Sequence, residues 1–179
     1  MITFDADLTR ENILYCLRFS GISIEGFTNI LGVSVRKFKY VKARKSNFNI
    51  NDIEKASAFF RVSFSKLTTT RITLSGDFRR SLLSHHHNNL EYTKILEDKP
   101  SIPYAIQFIL ITNDEFLENK MEVKAIKKLL DKKGFSYASS SLTNELKKSE
   151  LIDYEPHPSK KGTFLYFKKK QTKQSANSE

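Results

Sequence analysis

The sequence predicts a mainly α protein in two globular parts, with one β-hairpin towards its C-terminal end. Three observations predict it. Apolar residues recur at spacings of three and four behind Ser, Thr and Asn through most of the chain, the mark of short capped helices. Those patterns stop at single glycines such as Gly21, Gly32 and Gly134, because glycine alone takes positive φ cheaply. Alternation appears only late, on either side of a loop at 156–162 rich in Pro, Lys and Gly.

Composition narrows the classes. Among 179 residues, 39% are hydrophobic and 28% charged, which suits a soluble globular chain. The net charge is +10. It is concentrated at the two ends: 11 basic against 6 acidic residues in 1–68, 5 against 4 in 69–100, and 14 against 10 in 101–179. Two basic ends joined by a near-neutral middle point to a polyanionic partner, with nucleic acid favoured over a membrane. The lone Cys16 lies in an apolar pattern and reads as a buried thiol. Residues 1–8 carry two aspartates and no basic stretch, so no secretory signal is expected. The longest apolar run, 105–111, is interrupted by Gln107 and is too short to span a bilayer. These features predict a cytoplasmic protein.

The first helix is expected over 9–20, with Thr9 as cap and Ile13, Leu14 and Leu17 on one face. Ser23 caps a second, whose apolar set is Ile24, Phe27, Ile30 and Leu31. Gly32 turns the chain, and Ser34 caps a third helix with Phe38 and Val41 inward. The rest of that helix is basic, and no acidic residue occurs from 34 to 51. Helix, glycine turn and short cationic helix make a helix-turn-helix suited to DNA's major groove. Asn49 or Asn51 caps a fourth helix with Ile53, Ala56, Phe59 and Phe60 inward, and Ser63 opens a fifth. Residues 1–68 thus form a five-helix domain.

These residues resemble the phage-repressor-like helix-turn-helix family, the XRE or Cro-like group. Leu31, Gly32, Val33 and Ser34 match its Leu-Gly-Val-Ser turn. Ala56, Phe60, Val62, Ser63 and Leu67 follow its closing pattern. The resemblance covers 8–68 and implies a DNA-binding regulator. The chain departs from the family at three places: Ile24 stands where glutamine is common, Thr28 where alanine is, and the segment Lys42, Ala43 and Arg44 replaces a Glu-x-Gly. The extra cations are candidates to bind phosphate in place of glutamine contacts.

Residues 69–100 read as a connector, with loop signals at Thr68, Thr69 and Thr70 and at Ser75, Gly76 and Asp77. His85, His86 and His87 are adjacent, so on a helix they point about 100° apart and do not converge on one metal. They read as linker or helix surface, and no metal or cofactor is expected.

Pro100 and Pro103 introduce the second half, 101–170. A buried helix is expected over 104–118 and an amphipathic one over 122–132. In the latter Val123, Ile126, Leu129 and Leu130 face inward and Lys124, Lys127, Lys128 and Lys132 face water. A third is expected over 139–149, followed by strands at 151–155 and 163–168. Leu146, Leu151 and Ile152 sit as in the Leu-x-x-x-Gly-Leu-Ile passage of winged-helix regulators, with Glu150 in the glycine's place. The second half therefore resembles a winged helix, with the hairpin as its wing. Residues 171–179 read as a disordered tail.

No Gly-rich phosphate loop, nucleophile pair or convergent carboxylates occur, so no enzyme is expected. The chain reads as a sequence-specific double-stranded DNA-binding protein, a repressor-like transcriptional regulator. The base-reading candidates are Val35, Arg36, Lys37 and Tyr40, with Arg36 best placed to fork onto guanine. Ser34, Lys39, Lys42, Arg44 and Lys45 are the phosphate candidates. In the second half Ser140, Ser141, Thr143, Asn144, Lys147, Lys148, Lys160 and Lys161 are the DNA candidates. The alternatives are an antitoxin or mobile-element accessory factor, and a second half that binds a protein partner or forms a homodimer. RNA binding lacks an aromatic stacking motif outside Phe164, Leu165, Tyr166 and Phe167.

Overall fold

A computed structural model describes residues 4–170. It is mainly helical with one small antiparallel sheet, and it divides into two compact units, Met1–Tyr104 and Ala105–Glu179. The expected tail, 171–179, lies outside the described residues.

In the first unit, helix α1 spans Ala6–Ser20. Its cap is Asp5 rather than Thr9. The Asp5 carboxylate accepts from the amides of Asp7 (2.9 Å) and Leu8 (3.0 Å), so it satisfies the free N–H groups one turn earlier. Thr9 is inside the helix and donates to the Asp5 carbonyl. Helices α2 (Ile24–Leu31), α3 (Val35–Lys42), α4 (Ile50–Phe60) and α5 (Phe64–Thr69) start where their caps predict. Ser23, Ser34 and Ser63 each accept from the amide three residues on, and Asn49 forms a reciprocal capping box with Asp52.

Phe27, Phe38, Phe59 and Phe60 are fully buried and pack ring to ring, Phe27 lying 5.8 Å from Phe38 and 5.3 Å from Phe60. Asn12, buried in α1, donates to the Leu67 and Thr70 carbonyls and accepts from the Ile72 amide, which fixes the exit of α5. Cys16 is fully buried, and burial pushes its thiol up to about 12.

The stretch 69–100, expected as a connector, is part of this unit. It contains α6 (Phe78–His85) and α7 (Leu90–Glu97). Phe78 and Leu82, then Tyr92, Ile95 and Leu96, repeat at helical spacing, and Leu82 and Leu96 enter the same core as the phenylalanines. Arg79 ties the pieces together, donating to the carbonyls of Ser20, Leu96 and Asp98. The histidine run divides as a helix end would divide it. His85 and His87 are exposed, whereas His86 stacks parallel on Phe59 at 5.4 Å with its Nε2 2.7 Å from the Phe59 carbonyl.

The single helix expected over 104–118 is broken in three. Helix α8 is one turn, Ile102–Ala105; a π-helical segment follows at Ile106–Leu110, and then α9 at Asp114–Glu118. Asn113 makes the break, because its side chain caps α9 by accepting from the Phe116 amide. Helices α10 (Val123–Lys132) and α11 (Ser139–Lys148) lie close to their expected bounds. Strands β2 (Ile152–Pro156) and β3 (Phe164–Lys168) form the expected hairpin. A two-residue strand, β1 (Met121–Glu122), is additional to the expected elements; it pairs with the free edge of β3, giving the order β1-β3-β2. Tyr166, in the middle of β3, is buried opposite both Met121 and Tyr154. Among the described residues no helix is long and apolar enough to cross a membrane.

Candidate nucleic-acid interface

The first candidate surface is the outer face of α3. Phe38 and Val41 hold the inner face in the core, so the 3.6-residue period turns Arg36, Lys39, Tyr40 and Lys42 outward. The turn before it depends on Gly32, which sits at φ +69. A Cβ there would also lie 3.1 Å from the Lys55 ammonium, which reaches across the turn to the Leu31 carbonyl at 2.8 Å. That bond satisfies one of the orphan carbonyls at the end of α2.

The four base-reading candidates are not equivalent. Arg36 is exposed, and its Nε donates to the Tyr40 hydroxyl at 3.0 Å while its guanidinium lies 5.5 Å from the Tyr40 ring centre. One turn of helix thus brings the two side chains together and leaves both Nη groups of Arg36 outside that bond. Val35 is half-buried at the helix start. Lys37 is turned inward, with its ammonium 2.7 Å from the carboxylate of Asp52. Asp52 is 1% exposed and also accepts from the Asn49 amide. Lys37 therefore ties α3 to the start of α4, a role that sequence spacing alone does not display.

The phosphate candidates also separate. Ser34 caps α3. Lys39, Lys42 and Lys45 are exposed, and their ammonium groups have no hydrogen-bond or ion-pair partner among the described residues. Arg44 instead leans on α1, 3.4 Å from Glu11 and 3.9 Å from Asp7. Arg71 meets Glu11 from the other side at 3.0 Å. The Arg10 guanidinium hydrogen-bonds Asp7 and holds its carboxyl below the usual range.

In the second unit, Ser140, Ser141 and Asn144 are exposed on α11, and the Thr143 hydroxyl is returned to the Ser139 carbonyl at 2.7 Å. Three of the four cations expected to accompany them are engaged. Lys147 sits over two rings, 4.3 Å from the centre of Phe164 and 5.6 Å from that of Tyr154. Lys148 pairs with Glu145 at 3.4 Å. Lys160 hydrogen-bonds Glu122, which His157 also approaches at 3.4 Å, and Lys160 holds the Glu122 carboxyl below its ordinary value. Lys161 is exposed beside Gly162 in the hairpin loop. Among the described residues no cluster of His, Cys, Asp or Glu has the arrangement of a metal site. Comparison with family models, with curated proteins and with solved structures returns no match for this chain.

Proposed function

We propose that the chain is a sequence-specific double-stranded DNA-binding protein, a transcriptional regulator of repressor-like action. In this reading α2, the Gly32 turn and α3 are a helix-turn-helix, and α3 enters the major groove. The observation that carries the reading is the division of labour on α3. Phe38, Val41 and Lys37 anchor it, while Arg36, Lys39 and Lys42 face outward on a helix of eight residues, about 12 Å long. The major groove is about 12 Å wide. Arg36 reads a guanine through its two Nη groups, and Lys39, Lys42 and Lys45 hold phosphates. The succession α9, β1, α10, α11, β2, β3 with strand order β1-β3-β2 supports reading the second unit as a winged helix, with the β2–β3 hairpin as its wing.

Selection of bound sequences from random duplexes with the full chain tests the reading. It should enrich one motif containing a guanine, and Arg36→Ala should weaken binding to that motif by about 1–3 kcal/mol while relaxing choice at that base. No enriched motif, or equal loss on selected and random duplexes, would refute it.

A further inference from the structure

Among the described residues of the second unit, lysines without an ion-pair partner line one face of α10, whereas Lys147 and Lys148 of α11 are committed within the unit; in the hairpin Lys161 and Lys168 are also exposed and unpaired. Lys124, Lys128 and Lys132 occur at intervals of four along α10, opposite the buried Ile126, Leu129 and Leu130. All three are exposed, and none of their ammonium groups has a hydrogen-bond or ion-pair partner among the described residues. Lys127, to one side, is already paired with Asp131 at 3.3 Å. By contrast Lys147, Lys148 and Lys160 are each committed to a ring or a carboxylate of their own unit.

The first two lysines of the stripe border an open cleft of about 700 Å³ between β1, α10 and the hairpin loop. Met121, Ala125 and Leu165 make its apolar lining, and Lys120 and His157 stand at its edge. Its carboxylate, Glu122, is occupied by Lys160 and His157. An anion entering the cleft therefore meets ammonium groups and no unneutralised carboxylate. Four residues of helix rise about 6 Å, close to the roughly 7 Å that two steps of one DNA strand rise. We propose that the α10 face, from the cleft to Lys132, is a phosphodiester-tracking surface that holds the backbone of duplex DNA. The proposal rests on the reading that the chain binds duplex DNA, and it assigns the second unit's affinity to α10.

The test uses the full chain and the salt dependence of its binding to a random-sequence duplex, read by fluorescence anisotropy. Changing Lys124, Lys128 and Lys132 together to glutamine should reduce the log–log salt slope by about 2–3 units, at about 0.9 for each phosphate left unneutralised. Changing the three to arginine should keep the parent slope. The matching triple glutamine change at Lys147, Lys148 and Lys160 should alter the slope by less than about one unit. A parent chain that binds no duplex overturns the DNA reading and the proposal with it. A parent that binds with a slope unaffected by the α10 glutamines overturns the proposal alone, as does an arginine variant that loses as much as the glutamine one. Loss of binding to phosphatidylserine vesicles with the DNA slope intact would mark the face as a membrane surface and likewise overturn it.

Discussion

Arg36 and Tyr40 show how a single hydrogen bond divides two roles between two exposed residues. An arginine offers five N–H groups, and guanine needs two of them in a fork. The Tyr40 hydroxyl accepts from Nε and leaves the Nη pair for that fork. If α3 reads DNA as proposed, Tyr40 positions Arg36, and its ring and hydroxyl are separable. Tyr40→Phe keeps the ring beneath the guanidinium and removes only the acceptor. It should cost about 1 kcal/mol on the selected site, less than Arg36→Ala, and relax choice at the same base pair. A Tyr40→Phe variant that relaxes a different base pair would make Tyr40 a reader in its own right. Binding assays on single-base variants of the site distinguish the two.

At the scale of elements, α3 is a helix fixed by its neighbour rather than by its own propensity. The Lys37 ammonium closes on a carboxylate that already caps α4, so one ion pair sets the distance between the two helix starts. Lys37→Ala leaves Asp52 buried with an acceptor unfilled, which should destabilise the free protein by about 1–3 kcal/mol. The midpoint of denaturant unfolding should fall while its slope stays constant. A lysine that served only to read bases would leave that midpoint unchanged. The same contrast shows what the chain's residues reveal in order and what they do not. The caps Ser23, Ser34, Asn49 and Ser63 act on amides three residues away, so their helices are legible locally. Lys37 and Asp52 are joined only after two helices have packed, and no local pattern encodes that. Strand β1 is two residues long and has no alternation to detect; it exists because β3 has a free edge to pair. Asn113 reads equally well as a polar residue inside a helix or as the cap of a new one, and packing decides for the cap.

At the scale of the whole molecule, the near-neutral middle of the chain turns out to be structural. Loop signals at Ser75 and Gly76 are real, since the helix starts only at Phe78, yet they separate elements within a unit rather than two units. The apolar faces of α6 and α7 are short, and their partners, Phe59 and Phe60, lie in a helix that closes well before them. Charge and loop composition therefore mark a boundary where burial places a core. The consequence is testable by where the chain is cut. A chain ending at residue 68 loses Leu82 and Leu96, both buried, together with the His86 ring stacked on Phe59. Removing one buried leucine side chain alone costs about 2–5 kcal/mol, a large part of the roughly 5–15 kcal/mol that holds a domain together. The chain ending at 68 should unfold at a lower temperature than one ending at 104, or fail to give a cooperative transition. The chain ending at 104 should melt cooperatively, with the Ser101 amide still donating to the Gly21 carbonyl and Arg79 still binding its three carbonyls. Calorimetry on the two fragments decides the matter: equal transitions would return 69–100 to the status of a linker, and a transition present only in the longer one would make those residues part of the first unit's folded body.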